Sequence, residues 1–235
     1  MPVLSAANIV QAKTDFAEAQ TTVSVTLDNP TQPGGTVIVE MYGPAVWPGM
    51  PAGWEFDMAT VPAQLWAFRL SGGPGGETSW SWSTVGPVNW LWRATEWDTM
   101  LDPVSPLDAQ PAANNVGGSG VTTLSTGTSG TSVRAETVAL ATHHWTYPLS
   151  APTRVVSFGS HTNGFVELAA QRQVFSSYEM AASWSALYVS APQTFECTAT
   201  VSNSAPNAGD TYYSMVVVYA ATQPVVEVPG AITVA

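Results

Sequence analysis

Two short stretches set a pair of carboxylates at alternate positions beside tryptophan: Glu55-Phe56-Asp57 follows Trp54, and Glu96-Trp97-Asp98 follows Trp90-Leu91-Trp92. On an extended strand such residues share a face. Glycoside hydrolysis needs two carboxyls about 5 to 10 Å apart, one as acid and the other as base or nucleophile. Neither stretch carries the third carboxylate of the Glu-x-Asp-x-x-Glu type known from sandwich glycosidases, and acid pairs are common on the solvent face of sandwich strands. The pattern alone assigns no catalytic role.

Other candidate chemistry is thinner. His143 and His144 are adjacent, so on a strand they point to opposite faces and cannot share a metal, while His161 stands alone. There is no Gly-x-Ser-x-Gly nucleophile elbow. The run Gly72-Gly73-Pro74-Gly75-Gly76 puts a proline where a phosphate cradle needs amide donors, and reads as a turn. Cys197 is the single cysteine and cannot form an internal disulfide. It falls in the alternating segment Phe195 to Val201, on the face of Phe195, Ala199 and Val201, where a thiol packs as a small inert hydrophobe. No catalytic residue, cofactor or metal ligand is expected.

The aromatic residues are more informative. Trp80, Trp82, Trp90, Trp92 and Trp97 are five of the ten tryptophans. Each alternate pair lies on one face of a strand, and Gly86-Pro87 between the pairs is a turn signal, so the spacing predicts a hairpin carrying four indoles. Such a cluster could be a packed core, an interface between subunits or a platform for a sugar. Arg69, Arg93 and Arg134 sit in apolar or aromatic runs and are expected to lie over indole rings, with intersubunit salt bridges as the alternative.

The elements that must position these residues are strands. Thr22 to Leu27 and Thr36 to Tyr42 alternate cleanly, and Val133 to Ala141, Val155 to Phe158, Ala186 to Val189, Phe195 to Val201 and Tyr212 to Ala220 extend the series. Tyr212 to Ala220 is apolar on nearly both faces and belongs in the middle of a sheet. The best helical candidate is Ser5 to Gln20, so residues 1–20 are expected to form an N-terminal arm or short helix. Residues 21–222 then form a β-sandwich, interrupted by a flexible Gly/Ser/Thr loop at 114–132, and 223–235 an extended tail. A length of 235 residues fits one such domain.

Charged residues are only 10% of the chain, while 22 serines and 27 threonines point to a hydroxyl-rich surface. The net charge of −11 would repel a phosphate backbone, which speaks against nucleic-acid binding. Met1 to Gln20 lacks a secretory pattern and no stretch approaches the roughly 20 apolar residues of a membrane span. The expectation is a protein made and kept soluble in a cytoplasm, which leaves release in a particle open because assembly and lysis need no signal peptide.

The order of Gly34 to Tyr42, Pro51 to Trp54, Trp80-Ser-Trp82, Trp90-Leu-Trp92 and Glu96-Trp97, followed by the Ser125 to Ser132 run and the strands Val133 to Ala141 and Tyr212 to Ala220, resembles minor tail and other virion proteins of tailed phages infecting actinobacteria. The resemblance spans roughly residues 20 to 222. It implies an antiparallel β-sandwich of jelly-roll or concanavalin-like type that acts in assembly or host-surface contact, with no active-site residues to transfer. The expected function is a virion structural protein, a minor tail protein first and a capsid decoration protein second. A carbohydrate-binding module using exposed tryptophans is the alternative from another class. Expected partners are further copies of the chain, other virion proteins and a host-surface glycan.

Overall fold

The computed structural model describes residues 4–43, 48–60, 64–99, 101–148, 154–176 and 178–222. The expected tail at 223–235 lies outside them. The described chain is almost wholly β, with antiparallel sheets packed face to face as an all-β sandwich. A single 3-10 turn at Ala6–Asn8 precedes the first strand, capped by Ser5.

The first sheet has the order β1-β5-β2-β4-β3, built from β1 (Ile9–Thr26), β2 (Thr36–Tyr42), β3 (Glu55–Ala59), β4 (Leu65–Leu70) and β5 (Ser79–Trp97). The second has the order β10-β11-β8-β13-β6, from β6 (Ala112–Gly117), β8 (Thr137–Pro148), β10 (Val166–Val174), β11 (Tyr178–Val189) and β13 (Thr211–Ala220). A third, small sheet pairs β7 (Thr123–Ser125), β12 (Thr198–Asn203) and β9 (Val156–Gly159).

Strand parity shows how these sheets stack. In β13, Tyr213, Met215, Val217 and Tyr219 join the core shared with the first sheet, whereas Tyr212, Val216 and Val218 face the cores under the third. In β2, Ile38 and Tyr42 face the second sheet, while Val37, Val39 and Met41 face a separate aromatic core. Both central sheets therefore bury both faces, which is why β2 is buried at every position and β13 at all but its first.

The aromatic core is closed by the chain folding over itself. The outer halves of β1 and β5 pair as a ribbon, from Thr22↔Ser83 to Thr26↔Ser79, and their inner halves pair again from Ala17↔Trp90 to Ile9↔Trp97. Register shifts at Ala17/Gln20 and Gln20/Thr22 separate the two halves and leave Val85 fully exposed. A bulge bends a paired strand and increases its twist. Here it turns Val23, Val25, Trp80 and Trp82 back onto the outer face of the first sheet. The other ribbon face carries Thr22, Ser24, Ser79, Ser81 and Ser83 to solvent, a hydroxyl surface of the kind the composition implied.

Three expectations need correction. Ser5 to Gln20 is mostly strand, because its backbone is taken by β5 over Ile9–Gln20, and a partner strand outweighs weak helical propensity. Gly86-Pro87 does not reverse the chain: β5 runs through it as one strand of 19 residues, and the dipeptide sits in the bulge opposite β1. The stretch 114–132 is no free loop. It contains β7 and the end of β6, and beyond β7 it runs along the segment before β12. There Thr126, Ser129 and Ser132 donate backbone N–H groups to the carbonyls of Cys197, Phe195 and Gln193. Their hydroxyl oxygens accept the N–H groups of the same three residues at 3.0, 2.9 and 3.0 Å. Each hydroxyl residue thus satisfies both polar groups of its partner, and this offsets the ordering entropy of a stretch with little apolar area.

Candidate functional site

The paired carboxylates are structural clamps. Asp57 and Glu55 converge on one guanidinium: Arg69 Nη2 lies 3.1 Å from Asp57 Oδ1 and 2.7 Å from Glu55 Oε2. The hydroxyl of Tyr219, from the second sheet, donates to Asp57 Oδ2 at 2.8 Å. Burial pushes the Asp57 carboxyl up, against the pull of Arg69. The other pair holds the first strand in place: Glu96 accepts from Gln11 Nε2 and from the Gln32 N–H, both at 2.6 Å, and Asp98 accepts from Asn8 Nδ2 at 3.0 Å. Glu96 is fully buried.

A second brace crosses the same inter-sheet layer. Glu40 on β2 and Arg93 on β5 are register partners facing the second sheet, where Thr142 donates to Glu40 Oε1. Burial pushes the Glu40 carboxyl up and the Arg93 guanidinium down. Beside them the His144 ring stacks on Tyr42, with centroids 3.7 Å apart and planes 5° from parallel.

The expected stacking of Arg69, Arg93 and Arg134 on indoles is not what the fold does. Acids claim two of these guanidiniums instead, Arg69 as above and Arg134, which binds Asp102 and lies 3.8 Å from Asp108. The ring-stacked cation is Arg154, over Tyr147 at 3.7 Å, with Asp210 at 2.8 Å from Nη1. Lys13 pairs with Asp28 and Arg172 with Glu179, so five of the six basic residues form an ion pair within the chain, while Arg93 has Glu40 only as an electrostatic neighbour. For Arg69 and Arg134 the acid partners lie within the protomer.

Trp80, Trp82, Trp90, Trp92 and Trp97 have exposures of 8%, 0%, 0%, 1% and 0%. The first four share the aromatic core with Trp54 and Trp66, and Trp97 lies on the opposite face of β5, in the core between the two large sheets. Trp54 meets Trp80 and Trp82 edge to face at 5.3 and 4.8 Å. These rings are not an open platform for a sugar. The ribbon folded over them takes the face a ligand would need.

His143 and His144 do point to opposite faces of β8. Sequence spacing missed what His143 meets: its Nε2 lies 3.4 Å from Cys197 Sγ, with the His161 ring 5.6 Å away. This is not an activated dyad. Burial pushes the thiol up to about 11 and the His143 imidazole down to about 3, so both partners are neutral near pH 7.

An open cleft of about 460 Å³ remains at one end of the inter-sheet layer. Tyr42 and Gln64 form one wall, Tyr213, Thr211 and Tyr178 the other, and the β1/β5 bulge supplies Asn89 at the rim. Tyr42 donates its phenolic proton to Gln64 Oε1 at 2.5 Å, and Asn89 Oδ1 accepts the N–H of Ala19 at 2.9 Å. Ala19 holds φ at 50°, a left-handed conformation that costs a non-glycine residue about 1 kcal/mol or more. Gly43 lets the chain pass the Trp90 ring here, since a Cβ would stand 2.7 Å from it. Every described side chain lining the cleft is uncharged.

No family model, no curated protein and no solved structure matches this chain.

Proposed function

We propose that this chain is a structural protein of a tailed-phage virion, in the first place a minor tail protein acting in assembly or host-surface contact. The observation that carries a structural role is the use of its ionisable groups. Asp57, Glu40 and Glu96, with Arg69 and Arg172, brace one strand or sheet against another, leaving the acid pairs engaged where a hydrolase would need one free. What points to a virion is the resemblance carried by Gly34 to Tyr42, Pro51 to Trp54 and Trp80 to Trp97.

Assembly from copies is supported by open edges on both large sheets. Strands β3 and β10 are edge strands, with Phe56 exposed on the first and Val166 and Val174 on the second. Unpaired edge groups are a ready template for another chain. A capsid decoration protein would use the same braced stack and the same edges.

Purified phage particles probed with an antibody against the chain test this reading. Regular labelling of the tail is the expected result and labelling of the head supports the decoration variant. Particles that lack the chain, or hydrolysis of a polysaccharide by the purified protein that Glu96→Gln abolishes, overturn it.

A further inference from the structure

We infer that the cleft between Tyr42, Gln64, Asn89, Tyr178, Thr211 and Tyr213 is a binding site for a neutral oligosaccharide. Its volume of about 460 Å³ lies within the range of about 300–1,000 Å³ typical of small-molecule sites. The wall chemistry narrows the ligand. Tyr178 is 40% exposed and offers a ring face, and aromatic faces pack against the C–H side of a pyranose. The amide oxygens of Gln64 and Asn89 are engaged with Tyr42 and Ala19, so what each amide has to offer a ligand is its NH₂, a donor to hydroxyls. The Ala19 N–H can bond only an oxygen, so it fixes the orientation of the Asn89 amide. Thr211 adds a half-buried hydroxyl.

Charge decides between sugar classes. Among the described residues the lining has no cation, and five of the six cations of the chain are paired with acids elsewhere, so a uronate or sialate would find no counter-charge. Among the described residues the lining also has no carboxylate, so an amino sugar or a basic peptide gains nothing there. Neutral hydroxyls match the donors present. Preorganisation comes from the fold: the strained Ala19 and the bulge hold Asn89 at the rim, and Gln64 is anchored by its carbonyl to the Gly43 N–H at 2.9 Å. Among the described residues, no tryptophan lines this site.

An array of neutral glucose, galactose and mannose oligosaccharides, printed beside uronate-bearing and sialylated counterparts, tests it, with hits measured by titration calorimetry. Binding confined to neutral members is expected, weakened at least tenfold by Tyr178→Ala and by Asn89→Leu and unchanged by Val85→Ser. Thr211→Val provides a smaller change should either variant fail to fold, and native mass read on the same samples separates loss of binding from loss of assembly. Absence of binding to every neutral member at millimolar concentration, preference for the acidic members, or hits indifferent to Tyr178→Ala and Thr211→Val would each overturn the assignment.

Discussion

Two neighbouring cores of this molecule are built on opposite principles. Between the folded ribbon and the first sheet lies a layer of indoles and aliphatic side chains, with Trp82, Trp90 and Trp92 at its centre. Between the two large sheets the core is also apolar, but it is crossed by Glu40, Arg93, Asp57, Arg69 and His144. The first layer is held by area and ring geometry. The second is held by area plus directional bonds that join one sheet to the other, Thr142 to Glu40 and Tyr219 to Asp57. The contrast assigns different roles. Aromatic packing closes a ribbon onto its own sheet, with its register set by which face is buried, whereas buried polar pairs fix how two separate sheets meet.

Cutting into either layer sharpens that contrast. Trp82→Ala should cost about 3–5 kcal/mol in urea unfolding, as removal of a fully buried ring does. Trp→Phe at the same site should recover most of it. Arg69→Met should cost about 3 kcal/mol or more by leaving Asp57 buried without its cation, and adding Asp57→Leu should restore much of the loss. If the double variant were no better than the single, the brace would be packing alone.

Acid should act on the second sheet through its histidines. With a folded-state value of about 3 against about 6.5 unfolded, His143 contributes stability that is complete above pH 6.5 and falls as the pH drops from there towards 3. His143 faces Cys197, Phe158 and His161, none of which supplies a negative charge. Between pH 6.5 and 5 the loss on acidification should be smaller in His143→Gln, by up to about 1.4 kcal/mol per pH unit. Glu40 works in the opposite sense, its raised value favouring the fold at lower pH, so the comparison of variants isolates the imidazole. The smallest effect is expected from Ser129→Ala, about 1–2 kcal/mol, through the orphaned Phe195 N–H.

Local alternation made much of this fold legible in the sequence. Thr36 to Tyr42 is β2, and Tyr212 to Ala220 is β13 less its first residue. Phe195, Cys197 and Ala199 are buried while Glu196, Thr198 and Thr200 are not, as one register requires. What could not be read was long-range. A turn dipeptide at Gly86-Pro87 looks the same whether the chain reverses or bulges, and the distinction rests on β1, some 70 residues away. The spacing of Trp80, Trp82, Trp90 and Trp92 correctly put each pair on one face, but the ribbon that buries them is a tertiary event. The Thr126, Ser129, Ser132 ladder did leave a signal, a triplet period of Gly-Thr-Ser, hidden by its low complexity. Of the cleft, no residue was legible, because its walls come from six strands, β1 and β5 contributing through their bulge.

Indole hydrogen exchange tests the central claim that the tryptophans are the interior of a scaffold and not a binding face. Proton–nitrogen spectra, with the side-chain resonances of Trp80, Trp82, Trp90, Trp92 and Trp97 assigned by single Trp→Phe variants, would follow each Nε1–H after transfer to deuterated water. Burial of all five within the protomer predicts exchange far slower than that of a free indole, in the isolated chain and without any ligand. Exchange of Trp80, Trp82, Trp90 and Trp92 at the free-indole rate, slowed only on assembly or on addition of a sugar, would contradict it.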